Sequence, residues 1–432
     1  MSHPIAGSKG SVSKAHGQCR LYPHIQTMKF DDDILIAGGG LNGLTLAIAL
    51  GSAGFRVCLV EPTPTEQRMA QGFDGRSYAL AVSSMRVLQT LGVWQTLGDV
   101  QPILEIKVTD GRAGEGPSPL MLAFDHAEIE EGPMGYMVED RHLRPALLNV
   151  AKAASITQID ESVRHHTPDA TGVTVTFSSG ITRRAKLLIG CDGRTSAIAE
   201  RSGINRTGWS YDQTALVTAI AHEKPHNGIA HQFFMPSGPL AVLPLTHNRA
   251  SIVWTEDATK AAAIQAMDDE GYLAELRPRF GGFLGDIELA GTRFTYPLAL
   301  SIVQNFVADR VALVGDAAHV VHPIAGQGLN AGLKDVAALA EVLIDAERRG
   351  EEIGRIDVLQ RYAQWRRFDA TALAAATDAI NRLFSNDNPL LRGLRDNGLG
   401  LTNAMPGLRR RLIREAAGLT GDLPRLSQGK PL

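Results

Sequence analysis

Residues 311–335 read VALVGDAAHVVHPIAGQGLNAGLKD, and the fold can be built outward from them. Val311-Ala312-Leu313-Val314 is a short apolar run with the length and β-branching of a buried strand. It stops on Gly315-Asp316. A loop follows over residues 319–327, and Gly328-Leu329-Asn330-Ala331-Gly332 opens a long apolar helix. A carboxylate at a strand end can accept hydrogen bonds from the hydroxyls of a polyol. A glycine-rich helix start leaves backbone N–H groups unpaired and carries partial positive charge, so it favours an electron-rich or anionic group. A flavin offers both parts, a ribityl chain and a ring that is anionic when reduced. The same letters also suit an ordinary strand–loop–helix in an α/β core, and only the rest of the chain separates the two.

Near the other end of the chain, residues 33–37 form a strand candidate, and Gly38-Gly39-Gly40-Leu41-Asn42-Gly43 fits GxGxxG. Residues 44–53 read as a helix and 56–60 as a second strand that ends on Glu61. This is a βαβ unit of the usual length. Gly38 allows the tight turn, Gly40 lets backbone approach a pyrophosphate, and Gly43 lets helix and strand pack closely. Glu61 stands where a carboxylate takes adenosine ribose hydroxyls, which suits FAD or NAD and repels a 2′-phosphate. A third apolar strand candidate, 185–189, closes on Gly190-Cys191-Asp192-Gly193-Arg194, so Asp192 and Gly193 repeat the strand-end pairing of Gly315 and Asp316. Cys191 reads most simply as a small buried apolar residue.

Other segments fill in the frame. Residues 74–84 lead into a helix at 85–91, with Ser83 or Ser84 as its cap. Arg76 sits in the polar turn before it, within reach of a phosphate or a flavin, or of a surface salt bridge. Residues 140–154 form a helix with Arg141 in its first turn, where a cation is locally unfavourable and a ligand would explain it. Strands are expected at 103–109 and 172–177, with a turn-rich break at 111–119. Over 214–255 four short strand candidates follow one another without helices, which means an antiparallel sheet. A helix near 259–276, a strand near 291–296 and two long helices, 333–348 and 358–384, complete the body. Residues 408–414, LRRRLIR, form a basic helix candidate, suited to an anionic membrane surface, to a partner, or to packing on its own domain.

The expected fold is α/β: an FAD-binding, Rossmann-like βαβ domain with an inserted antiparallel-sheet substrate domain and C-terminal helices. The nucleotide domain would take residues 28–103, 130–205 and 296–385, and the substrate domain 104–129 and 206–295. Residues 386–432 would form a helical C-terminal region. Residues 1–27 carry Lys9, Lys14 and Arg20 but no acidic residue, and read as a disordered extension before Met28 or as a weak transit peptide.

A hydrophobic share of 44% and a charged share of 21% are near globular averages, so a large core can be buried. A net charge of −3 argues against nucleic-acid binding, which calls for a basic excess. Cys19, Cys58 and Cys191 are far apart and form no CxxC, which argues against disulfide frameworks and cysteine-based metal sites. No run reaches the roughly 18 apolar residues of a membrane span.

GGGLNG with Glu61, CDGRTS and GDAAHVVHPIAGQGLNAGLKD together resemble the single-component flavin-dependent aromatic hydroxylases of the para-hydroxybenzoate hydroxylase fold. HPIAGQGLNAGLKD is similar to the ubiquinone-biosynthesis hydroxylases, including the 2-octaprenyl-6-methoxyphenol hydroxylases. DGRSYALAVSS, VEDRHLRPALL and FMPSGPLAVLPL share that likeness, which runs from about Met28 to the C-terminus. It implies FAD as cofactor, NADH or NADPH as transient co-substrate, molecular oxygen, and a prenylated phenol or quinone precursor. It implies no nucleic-acid partner. It also implies a cytoplasmic protein resting on the inner membrane face, in a membrane-associated ubiquinone-synthesis complex. The residue roles it implies are these. Gly38, Gly40, Leu41, Asn42, Gly43 and Glu61 bind the ADP half of FAD. Asp192 and Gly193 border FAD and the nicotinamide nucleotide. Gly315 and Asp316 hold the ribityl or pyrophosphate region. Pro323, Gly326, Gln327, Gly328, Leu329 and Asn330 line the ring. Arg76 and Arg141 fall where the family has flavin-contacting polar residues; Asp140 departs from the family's Asn or Arg and receives no role. His322 is the one candidate catalytic side chain, or a loop anchor. Phe233, Phe234, Met235 and Leu243 would form an apolar wall for a prenyl tail, or ordinary core.

Overall fold

The computed structural model describes residues 1–3, 7, 29–69, 72–114, 116–117, 121–385 and 388–432. The expected N-terminal extension, with Cys19 and Met28, lies outside them apart from residues 1–3 and 7. Among the described residues the strands form four sheets. The first runs in the order Val307–Ala308, Val311–Leu313, Leu187–Gly190, Ile34–Ala37, Val57–Val60, Thr157–Ile159, parallel except for its first pair. Ile34–Ala37, Val57–Val60 and Leu187–Gly190 are buried at every position. Unbroken apolar runs of this kind belong to strands covered on both faces. The register sets Ala37 beside Gly190 and Gly190 beside Leu313. The loops that begin at Gly38, Cys191 and Val314 therefore leave the sheet side by side at its carboxyl edge, where open parallel sheets bind ligands.

The largest sheet has the order His319–Val320, Phe294–Val303, Arg206–His222, Arg249–Asp257, Gly238–Leu245, Ile229–Met235, Glu105–Arg112, Gly116–Pro117. It is not purely antiparallel, because Ile229–Met235 runs parallel to Glu105–Arg112. Alternation divides its two faces. Leu216, Leu240, Ile252 and Trp254 pack against Tyr272, Leu276 and Phe280 of a neighbouring helix. Ala215, Val217, Ala241, Leu243 and Val253 face a cavity on the other side. A three-stranded sheet, Ser77–Ala81, Gly135–Glu139 and Gln101–Ile103, stands beside that cavity. A small antiparallel sheet, Val163–Pro168, Val173–Phe177 and Thr182–Ala185, sits apart.

Several expectations need correcting. The helix expected at 259–276 is two helices, Ala258–Gln265 and Asp269–Phe280. Asp268 separates them by accepting the Gly271 N–H at 2.8 Å, a cap that competes with helix continuation. The strand expected at 291–296 is Phe294–Val303, paired along Arg206–His222, and it passes the expected boundary at 296 without a break. Residues 185–189 are not one strand: the chain leaves Thr182–Ala185 and enters Leu187–Gly190 in a different sheet. Neither Ser83 nor Ser84 caps its helix, which spans Val82–Thr90 behind Ala81.

Candidate active site

Leu41–Ser52, behind Gly40, and Gln327–Arg348, behind Gly326 at φ 63°, both begin without a side-chain cap and without an acidic residue in the first turn. A glycine at each cap position supplies no side-chain acceptor of its own to the first N–H groups. Both starts line one cavity of about 540 Å³, a volume suited to a bound ligand. The contacts that bring them together are close. A Cβ on Gly38, at φ +108°, would stand 2.2 Å from the Cys191 carbonyl oxygen, and one on Gly43 would stand 1.9 Å from that of Gly38. Asn42 lies between Gly315 and Gly332, where added Cβ atoms would sit 2.3 and 2.2 Å from its Nδ2. The first and third motifs thus meet through one amide. Gly40 and Gly328 instead face open space.

Gly40, Leu41, Asn42, Gly43, Arg76 and Gly193 line the cavity, as do Asp316, Pro323, Gly326, Gly328 and Leu329. Gly38, Glu61, Arg141, Asp192, Gly315, Gln327 and Asn330 stand outside that lining. Glu61 accepts the Gly39 N–H at 2.8 Å and the Thr63 N–H at 3.0 Å. Asp192 accepts the Ile198 N–H at 3.0 Å. Arg141 pairs with Glu139 at 2.6 Å, so its first-turn charge is answered by a carboxylate rather than by a ligand in the cavity. Asn330 is saturated by protein. Its Oδ1 accepts from the Ala81 N–H (2.9 Å) and the Ser84 hydroxyl (2.7 Å), and its Nδ2 donates to the Ala79 and Gly326 carbonyls (2.8 and 3.1 Å). It pins the second helix start to the strand Ser77–Ala81 instead of touching a ring. His322 is fully buried, edge-on to Tyr211 at 5.3 Å, and off the cavity wall. Burial pushes its imidazole down to about 4, so the ring is neutral near pH 7, and neither ring nitrogen has a hydrogen-bond partner among the described residues. Phe233 and Met235 point into the core behind the large sheet, and Phe234 stacks on Phe384 at 4.1 Å; of that expected wall only Leu243 lines the cavity.

Sequence reasoning missed the supports. Arg68, 4% exposed, donates to the Gly39 carbonyl at 3.0 Å, and the middle glycine of GGG was its only trace. Asp335, fully buried, accepts the Gly315 N–H (3.0 Å), lies 2.6 Å from His319 Nε2 and pairs with Arg366 Nε at 2.7 Å. Burial alone would raise its carboxyl, but His319 and Arg366 hold it below the ordinary value. This anchor sits directly behind Asp316, whose carboxylate has no hydrogen-bond partner among the described residues. Asp140 is a second hub. It takes Arg144 at 2.8 and 3.1 Å and the Tyr78 hydroxyl at 2.8 Å, with Arg76 at 3.8 Å. Arg144 and Tyr78 line the cavity, and Asp140's i,i+4 spacing to Arg144 was the available signal.

The residues fit a dinucleotide. Two uncapped helix starts and three arginines, Arg76, Arg144 and Arg194, offer places for phosphate. The buried Asn42 Oδ1 and Ser77 Oγ lack partners among the described residues. All four charged residues on the cavity wall, these arginines and Asp316, belong to this side. The large sheet contributes small and apolar side chains with Gln232, Ser251 and Tyr296.

The model of the "FAD binding domain" family matches residues 31–377. A ubiquinone hydroxylase, UbiL, of Rhodospirillum rubrum is 44% identical over 406 residues, covering 93% of each chain. The 3-demethoxyubiquinol 3-hydroxylase of Escherichia coli K12 is 32% identical over 394 residues, covering 90% of this chain and 98% of its own. Among solved structures, p-nitrophenol 4-monooxygenase PnpA from Pseudomonas putida DLL-E4 superposes with a TM-score of 0.73 at 19% identity, over 91% of this chain and 99% of that one. That likeness shows the fold alone, which is of the para-hydroxybenzoate hydroxylase type. The chain belongs to the FAD-binding-domain family, among the FAD-dependent monooxygenases that include the ubiquinone hydroxylases.

Proposed function

We propose that this protein hydroxylates the ring of a polyprenylated phenol in ubiquinone biosynthesis, working at a membrane surface and within a ubiquinone-synthesis assembly. One atom of molecular oxygen enters a ring C–H bond; the other leaves as water, with two electrons and a proton from NADH or NADPH and one further proton. Bound FAD supplies the redox chemistry between nucleotide, oxygen and ring. The observation that carries this reading is the division of the cavity. Every charged group stands on the nucleotide side, and the opposite wall is a largely apolar sheet face with three neutral polar groups, Gln232, Ser251 and Tyr296. Such a wall suits an uncharged aromatic ring with an apolar tail, and the names of the relatives point the same way.

The chain's own residues then have definite tasks. Glu61, already oriented by Gly39 and Thr63, takes the adenosine ribose hydroxyls, and the start of Leu41–Ser52 takes the pyrophosphate. Asp316 takes the ribityl hydroxyls. The start of Gln327–Arg348 faces the ring and stabilises negative charge there. Asp192 and Gly193 border the place where the nicotinamide nucleotide docks. Gln232 and Ser251 orient the phenol from the sheet, and the apolar wall keeps water out.

The test uses the purified holoprotein, labelled oxygen and a short-chain prenylphenol. Label should appear in the product in step with nicotinamide oxidation. Oxidation that yields only hydrogen peroxide with every prenylphenol offered would overturn the reaction. Asp316→Ala should be isolated largely without flavin; a fully flavin-loaded variant with normal turnover would remove Asp316 from the site.

A further inference from the structure

The helix Pro406–Ala416 has two unlike sides. Inward, Ile413 is 1% exposed and packs in one cluster with Ile106, Ala230 and Leu243, the last of which lines the cavity. Arg409 pairs with Glu128 at 2.7 Å. The preceding helix, Pro389–Asn403, is tied down too. Leu399 packs with Phe234 and Phe384, and the Ala123 N–H donates to Asn403 Oδ1 at 3.0 Å. Ala230 and Phe234 flank Gln232 on one face of a strand, so this helix pair covers the sheet on either side of the cavity's Gln232 end.

Outward, Leu401, Met405, Leu408 and Leu412 are 64%, 46%, 39% and 37% exposed. Leu408 and Leu412 stand about one turn apart on this helix, Met405 caps it and Leu401 lies in the last turn of the preceding helix, so the apolar stripe crosses the break between the two. Arg410, Arg411 and Arg414 of the same helix are exposed; Arg411 flanks Leu408 and Leu412, and Arg410 and Arg414 lie further round the helix. Arg410 donates only to the Pro406 carbonyl, at 3.4 Å, and Arg411 has no partner among the described residues. Arg414 reaches Glu131 only at 3.9 Å, and the helix's one acid, Glu415, is engaged by the Thr420 hydroxyl. An exposed aliphatic stripe on a helix with three exposed arginines, of which Arg410 and Arg411 have no carboxylate partner among the described residues, matches a surface that is apolar below and anionic above.

We propose that the stripe Leu401–Met405–Leu408–Leu412, with Arg410, Arg411 and Arg414, seats the protein on an anionic lipid bilayer. The leucines enter the boundary between headgroups and acyl chains, and the arginine stems run along them with their heads at the phosphates. This rests on the prenylated substrate proposed above, because it sets the Gln232 end of the cavity beside the membrane that would hold such a molecule.

Flotation of the holoprotein decides it, with vesicles of phosphatidylcholine alone or with phosphatidylglycerol added. The protein should float with the anionic vesicles, and less so as salt rises. Leu408→Glu with Leu412→Glu, and separately Arg410→Glu with Arg411→Glu, should each lower the bound fraction by about ten-fold. Both should keep flavin content and turnover of a detergent-dispersed prenylphenol. A parent protein that stays at the bottom with anionic vesicles, or variants that float like it, would overturn the proposal. Binding that appears only when a purified partner protein is embedded in the vesicles would also overturn it. Turnover of dispersed prenylphenol without flotation would sink the docking surface alone, whereas flotation without turnover of any prenylphenol would sink the substrate reading alone.

Discussion

Asn42 and Ala241 face the same cavity from opposite walls, and their surroundings differ. Asn42 is gripped between two glycines that leave no room for a Cβ, in a region where buried carboxylates hold the backbone and side chains around them. Ala241 is one tooth of a pleated face, flanked by Gln232 and Val253 on the neighbouring strands, with no polar side-chain contact of its own to lose. The first wall is specified by close approach and by paired buried charge, so single changes there propagate. The second is specified by alternation, which any apolar residue of similar volume satisfies. Such a cavity holds its cofactor side constant while its substrate side is free to change shape.

Breaking the first wall at its hub should have the largest effect. Asp335→Asn leaves buried Arg366 with only the partly exposed Asp369 as a carboxylate partner, at 2.8 Å, and about 3–5 kcal/mol of stability should be lost, read as a lower urea midpoint at unchanged slope. A loss under about 1 kcal/mol would mean the pair is not the anchor described. His322 comes next. An unfolded chain takes up a proton near 6.5, which this folded ring refuses until about 4, so stability falls as pH drops through that window, by about 3 kcal/mol at most. His322→Phe should remove that share of the acid-side decline; parallel pH curves for variant and parent would refute it. Gly332→Ala drives a methyl into the Asn42 amide and should cost about 1–3 kcal/mol, with flavin released more readily on dilution. On the second wall, Ala241→Val should change stability by less than about 1.5 kcal/mol while shifting KM for the phenol and leaving flavin retention alone. If Ala241→Val instead stripped flavin, the contrast between the walls would fail.

The glycine loops and the parallel strands were legible because glycine spacing and unbroken apolar runs are local signals. The supports were not. Asp335, His319 and Arg366 read as three unrelated letters until the helices fold them together. Asn330 stands within a motif expected to line a ring, and its amide bonds to Ala79, Ala81 and Ser84, about 250 residues earlier, a contact that no window of sequence contains. Arg141 drew attention by its charge at a helix start, but Glu139 accounts for it, and the arginine that reaches the cavity is Arg144. Phe233 and Met235 show the limit of strand alternation: it sorts residues into two faces without saying which face meets the ligand.

The grip of Gly315 and Gly332 on Asn42 also bears on how the protein is born. The glycine turn near the start of the chain emerges from the ribosome long before the segment that encloses it. A nascent chain halted ahead of Gly315 has strands to collapse but only half a clasp. Loading of the flavin should therefore wait until the helix ending at Arg348 has been synthesised, which makes cofactor capture a late, chain-closing event in this protein's biogenesis.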